Sequence, residues 1–257
     1  MTNQTANISP QLYARIAGVL YLVNIACGMF GEIFVRAHLV VAGDAVATAH
    51  RIMSSEFLFR SGIAGDLIMH ITDVPMTVIF YVLLKPVSKD LSLLAALFGM
   101  LQTAVLLANK LTLVMVLLLL GNANYLKAFD ANQLQALASL SLTLHESGFG
   151  IGLIFFGVSC LVTAYLLFRS GYFPKTLGVL QAMAGVSYLI NSFSLFIAPA
   201  LQARIFPYFT ATGIGEVSLC LWIIVMGVNV QRWKQRDSAQ GSPNESRSQA
   251  PLIQSLG

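Results

Sequence analysis

SGIAGDLIMHITDVPMTVIFYVLL, Ser61 to Leu84, is the stretch whose reading decides the fold. It is apolar and long enough to cross a hydrocarbon core about 30 Å thick. Yet it carries Asp66, His70 and Asp73 at i, i+4 and i+7. At 100° per helical residue these three fall within an arc of about 60°. A span with its ionisable groups on one stripe is expected to turn that stripe toward a shared polar cavity, not toward lipid.

The whole chain supports a membrane reading. Of 257 residues, 56% are hydrophobic and only 10% charged, and the mean hydropathy is +0.74. Soluble domains carry about 25% charged residues. The net charge of +4 is spread over short connections, with no basic, aromatic-interleaved surface, so nucleic acid is not an expected partner and the lipid bilayer is. Cys27, Cys160 and Cys220 each sit in an apolar run without motif spacing and read as small core residues.

The expected architecture is all-α: a polytopic transmembrane bundle over residues 1–232. Six segments are apolar enough to span, at about 15–35, 61–84, 91–120, 140–168, 175–198 and 209–231. The first is too long for a signal-peptide core and is expected to be retained. The third is expected to be the longest, with Gln102, Asn109 and Lys110 as polar interruptions that could mark a break. Between the first two spans, Gly43-Asp44 followed by AVATAHRIMSSEFLF predicts an Asp N-cap and an outer amphipathic helix. Gly171 suits a helix C-cap, and Pro174 the first turn of the next helix. The polar tail, 233–257, is expected to be disordered.

Orientation follows from Lys and Arg. With both termini inside, nine basic residues, among them Arg15, Lys85, Lys89, Arg169 and Lys175, face the cytoplasm against five outside, Arg36, Arg51, Arg60, Lys127 and Arg204. Measured from the inner basic residues at about 1.5 Å per residue, Asp73 lies roughly 18 Å up, His70 22 Å and Asp66 28 Å. Glu216 and Glu32 reach about 24–25 Å, and Lys110, Glu146 and His145 about 31–36 Å. Below that layer the spans hold no charged residue or histidine, and the fifth offers Asn191 and Tyr188 at a similar level. An inner-membrane protein with an ionisable layer in the outer half of the bilayer is therefore expected.

Each of these residues also has a plain structural reading. Asp66, His70 and Asp73 can form an internal network that only fixes helix packing. Lys110 can snorkel to water from a helix end, and its sharper reading is a counter-ion for the carboxylates. Gly148 and Gly152 form a GxxxG pair, more typical of a close helix contact than of a ligand site. Glu32 and Glu216 each follow a glycine, which lets a backbone or ligand approach. His70, Asp73 and His145 are of the ligand types that hold zinc, but without a recognised metal signature. No phosphate loop or nucleophile elbow is present, so no cofactor is indicated.

Several stretches together are similar to a known family: ARIAGVLYLVN (Ala14–Asn24), GD…SSEFLFRSGIAGDL (Gly43–Leu67), YVLLKPV (Tyr81–Val87), HESGFGIGLIFFGVSCLVTAYLLFRSGYFPKTLGVL (His145–Leu180) and GIGEVSLCLWIIVMGV (Gly213–Val228). They resemble the bacterial membrane family catalogued as domain of unknown function 4386. The resemblance covers nearly the whole chain except the tail. It implies a multi-pass bacterial membrane protein and carries no activity over.

Three readings of function stay open. In the first, Asp66, His70, Asp73, Glu146 and Glu216 bind or act on a small or lipid-like molecule from the outer leaflet. Glu32, Asn109, Lys110, His145 and Asn191 then supply binding or counter-charge. In the second the same acids and His70 carry protons for a coupled transporter, which a continuous polar path from Asp73 to the inner face would favour. In the third the layer only orders a scaffold, with every charge paired and no cavity.

Overall fold

The computed structural model describes residues 9–202, 204 and 213–241. Among these the protein is all-helical: α1 (Pro10–Leu39), α2 (Ala45–Ser54), α3 (Glu56–Leu84), α4 (Lys89–Leu119), α5 (Ala131–Ser170), α6 (Lys175–Ile197), α7 (Gly213–Val225) and α8 (Val230–Gly241). The first and the four from α3 to α6 are long and apolar enough to cross a membrane, and the bent pair α7–α8 is a possible sixth span. The chain is a multi-pass helical membrane protein, and Leu111, Leu140 and Val225 are among many apolar side chains turned outward to lipid.

Six helices, α1 and α3 to α7, close a ring. Chain neighbours α3–α4, α4–α5, α5–α6 and α6–α7 pack in sequence, and α1 completes the circuit by lying between α3 and α7. Small residues set the close approaches. A Cβ on Gly152 would strike Leu106 and one on Gly148 would strike Asn109, so the GxxxG pair is the α4–α5 contact that its spacing suggests. A Cβ on Gly178 would come within 2.8 Å of the Ala164 carbonyl, which draws α6 onto α5.

Two apolar cores occupy the ends of the ring. One, near Lys85, gathers Ala14, Tyr21, Ile79, Leu83, Leu166, Leu177 and Ile223. The other gathers Val35, Ile52, Phe59, Ile63, Leu113 and Leu142. On α3 the two cores end at Ile63 and Ile79, and the polar stripe lies between them.

Several local expectations hold. Asp44 caps α2, its side chain accepting from the Ala47 amide at 2.8 Å, and Gly171 ends α5 in the left-handed conformation at φ 74°. Pro174, expected in the first turn of α6, instead stands one position before it and makes no side-chain capping bond.

Others are corrected. The longest helix is α5, not the third span: its 40 residues start at a capping box between Asp130 and Gln133, well before 140. At about 1.5 Å per residue it is some 60 Å long and must project beyond the hydrocarbon. α4 runs unbroken through Gln102, Asn109 and Lys110, because all three are buried and face the ring, not lipid. α3 likewise continues through Pro75.

The last span does not reach 231. The chain turns by 99° between α7 and α8. Gly227 makes this bend at φ 66°, a region only glycine enters freely, and the Asn229 side chain caps α8, accepting from the Arg232 amide at 3.1 Å. α8 then carries the chain to Gly241, inside the stretch expected to lack structure. Trp233 Nε1 donates to the Leu83 carbonyl at 3.0 Å, and Arg236 donates to the Arg169 and Ser170 carbonyls at 2.6 and 2.9 Å. Those arginine bonds satisfy orphan carbonyls at the α5 C-terminus, where positive charge is favoured. Residues beyond 241 lie outside the described part.

Candidate functional site

The polar layer begins where α1 changes winding. From Phe30 to Arg36 the helix is a π-helix, whose Ala37 amide reaches back to the Glu32 carbonyl. The extra residue per turn brings Arg36 to the ring interior, and Gly31, within the same stretch, leaves room for the Asp66 carboxylate against its backbone. Arg36 meets Asp66 with both terminal nitrogens, at 2.7 and 3.3 Å, and holds Glu32 through Nε at 2.8 Å. From α4, Lys110 Nζ approaches the same Asp66 oxygen at 2.9 Å. Asp66 is wholly buried and Lys110 is 3% exposed. The ammonium is paired by charge but makes no well-directed hydrogen bond.

One turn further along α3, His70 Nδ1 lies 3.3 Å from Asp73 Oδ2. With the carboxylate ionised, only the ring nitrogen can donate, so Nδ1 carries the proton of this bond. Nε2 is then buried with no partner. Asn24 of α1 donates to Asp73 Oδ1 at 2.7 Å and to the Met69 carbonyl at 3.1 Å, and Thr103 of α4 approaches Oδ2 at 3.4 Å. Asp73 thus meets His70 and the uncharged Asn24 and Thr103, whereas Asp66 sits between two cations.

The remaining candidates divide. His145 is buried with Asn109 and Thr112. Asn109 Nδ2 donates to the His145 carbonyl at 2.8 Å and lies 3.2 Å from its Nδ1, as does the Thr112 hydroxyl. Glu216 accepts a short bond, 2.5 Å, from the Tyr188 hydroxyl of α6, and it is within electrostatic range of Asp73. Glu146 is exposed although its neighbour His145 is buried, because one helical step turns it outward. The Glu32 side chain is 65% exposed and touches the layer only through Arg36. Asn191 accepts from Gln202 at 3.2 Å, apart from the others. His70, Asp73 and His145 do not converge, and no group of three metal-ligating side chains forms among the described residues.

A cavity of about 70 Å³ fills the ring on the Lys85 side of Asp73. All six helices line it, through Tyr21, Asp73, Gln102, Phe156, Gln181 and Leu219 in turn. It continues along the helices to Leu84 and Ser92, beside the Lys85 end, and it holds room for about two waters at ~30 Å³ each. Among the described residues, Asp73 is the one charged residue in its wall. Gln181 Nε2 donates to Cys160 Sγ at 3.2 Å, and its Oε1 is buried without a partner.

Sequence reasoning missed Arg36, Asn24 and Gln181. Arg36 was assigned to a connection because the apolar run ends at Val35, but Glu32 and Arg36 stand at i, i+4, a visible ion-pair spacing. Asn24 and Gln181 are isolated amides in apolar helices, a weaker version of the signal that exposed Asp73.

An uncharacterised protein of Archaeoglobus fulgidus is 30% identical over 165 residues, which are 64% of this chain and 83% of that protein. No solved structure matches. The family model described as domain of unknown function (DUF4386) matches residues 16–227, and the chain belongs to that family.

Proposed function

We propose that this membrane protein is a proton-coupled transporter of a bacterial inner membrane, with Asp73 as its proton site. The observation that carries the reading is the cavity: it is lined by all six helices of the ring, and Asp73 is its single charged wall residue among the described residues. A carboxylate beside a water-sized chamber can exchange a proton with it, whereas Asp66 is held by Arg36 and Lys110 and has no such freedom. The excess of basic residues at the Lys85 end favours termini in the cytoplasm. In that orientation the cavity leads from Asp73 toward the cytoplasm, and the Arg36–Asp66–Lys110 cluster closes the outer side.

A lipid-like substrate entering from the outer leaflet is less well supported. The acids nearest the Arg36 end are bound to cations or exposed, and about 70 Å³ is too small for an acyl chain. The pure scaffold reading is weakened by the same cavity, since a ring built only to pack has no need of a chamber with a carboxylate in its wall. The test is an infrared titration of the reconstituted protein. A titrating carboxyl band that vanishes in Asp73→Asn is expected. If Asp73→Asn leaves every titrating band in place, the proton site is elsewhere and the reading fails.

A further inference from the structure

The wall of the cavity offers hydroxyl and amide groups from Tyr21, Thr77, Tyr81, Gln102 and Thr163 but, among the described residues, no cation. Among the described residues its one charge is the Asp73 carboxylate. The Ser92 and Ser159 hydroxyls spend their protons on the Tyr81 and Ala95 carbonyls, at 3.0 and 2.9 Å, so what they can offer the chamber is oxygen lone pairs. Gln181 Oε1, in its assigned amide orientation, is a buried acceptor without a donor. Four helices, α3, α4, α5 and α6, therefore supply acceptors to one small space.

Aromatic rings complete it. Tyr21, Phe80, Tyr81 and Phe156 line the same chamber, and Tyr21 meets Phe80 edge-on with centroids 6.4 Å apart. Ring faces attract cations, and more strongly once water is excluded. A carboxylate, an unpaired amide oxygen and aromatic walls together select a small molecule that is positively charged and rich in N–H donors. An anion would face Asp73 with nothing to neutralise it. A neutral apolar molecule would leave Gln181 Oε1 unsatisfied.

We infer that the cavity binds a small monovalent ammonium compound, with its N–H groups on Asp73 and Gln181 and its alkyl part against Phe80 and Phe156. This rests on the proposed role of Asp73 as the proton site and names the cargo that would compete with the proton there. The groups facing Asp73 are His70 on its own helix, Asn24 and Tyr21 from α1, Thr103 from α4 and Glu216 from α7. None from the other helices is a cation, so beyond His70 the carboxylate is left to be balanced by a proton or by the ligand. At about 70 Å³ the chamber suits a molecule of two or three non-hydrogen atoms, so methylammonium is the probe.

The experiment measures methylammonium binding to the full-length protein in detergent by calorimetry and by thermal unfolding, at constant ionic strength. Sodium chloride and sodium acetate serve as charge controls and tetrabutylammonium as the size control. Saturable binding of methylammonium alone is expected, at least tenfold weaker in Asp73→Asn and in Gln181→Leu. Gln181→Leu keeps the volume and removes the amide, including its bond to Cys160, without touching the carboxylate, so the inference stays testable should Asp73→Asn not fold. Methylammonium indistinguishable from sodium in the wild type, or bound equally by both variants, would overturn the inference. The infrared titration reports on the proton site separately, so a titrating Asp73 without amine binding would discard the cargo and keep the proton site.

Discussion

Replacing Asp66 by Asn removes the anion on which Arg36 and Lys110 converge, at 2.7 and 2.9 Å. At those distances, with an effective dielectric of about 20, each contact carries roughly 6 kcal/mol of Coulomb attraction. Desolvation of the three groups offsets most of it, several kcal/mol per ion. Losing the anion is different from losing the cluster. The desolvation remains, because Lys110 stays buried and now faces only a neutral amide and the Arg36 guanidinium. Asp66→Asn is therefore expected to cost about 3–5 kcal/mol. Removing the unpaired cation as well should return part of the loss, so Asp66→Asn/Lys110→Met should be more stable than Asp66→Asn alone by about 0.5–3 kcal/mol. Lys110→Met by itself should cost less than Asp66→Asn, since Arg36 still holds the carboxylate with two bonds. Unfolding in mixed micelles, followed by helical circular dichroism, measures all three. A loss below about 1 kcal/mol for Asp66→Asn, comparable to a neutral hydrogen bond within a membrane, would show that Asp66 is not the centre of a buried ionic cluster.

By the same method Asp73→Asn should cost only about 1 kcal/mol, because an amide there still accepts from Asn24 and no cation is stranded. A loss matching that of Asp66→Asn would contradict the contrast drawn between the two acids. Gly178→Ala should destabilise by about 1–3 kcal/mol, since the new methyl meets the Ala164 carbonyl and the Phe168 backbone nitrogen at 2.8 Å and neither can swing away. Unchanged stability would mean that α5 and α6 are not in such close contact. Glu146→Gln should shift stability by less than about 0.5 kcal/mol and leave methylammonium binding intact, its side chain being exposed and outside the layer. A tenfold change in amine affinity on that substitution would return Glu146 to the site.

The membrane class and the polar layer were legible in residue order, for reasons that need no tertiary structure. A run of apolar residues long enough to cross hydrocarbon has few other uses, and a charge within it must find a partner or a cavity. That logic picked out Asp66, His70, Asp73 and Lys110, all of which are buried in the ring. It also located the caps at Asp44 and Gly171, because those depend on side chains or backbone angles a few residues apart.

What depended on the three-dimensional packing was the partition of the layer. Asp66 and Asp73 differ by two helical turns and look equivalent on a helical wheel. They acquire opposite roles because the π-helical stretch of α1 delivers Arg36 to one and the α-helical part of α1 delivers Asn24 to the other. The chamber below Asp73 arises from six helices closing a ring through α1, a contact between residues some two hundred positions apart. Residue order determines which side chains must leave the lipid. The rotation and winding of each helix decide which of them meet, since a shift of one residue turns a side chain by 100° and moves Glu146 outward while His145 stays within.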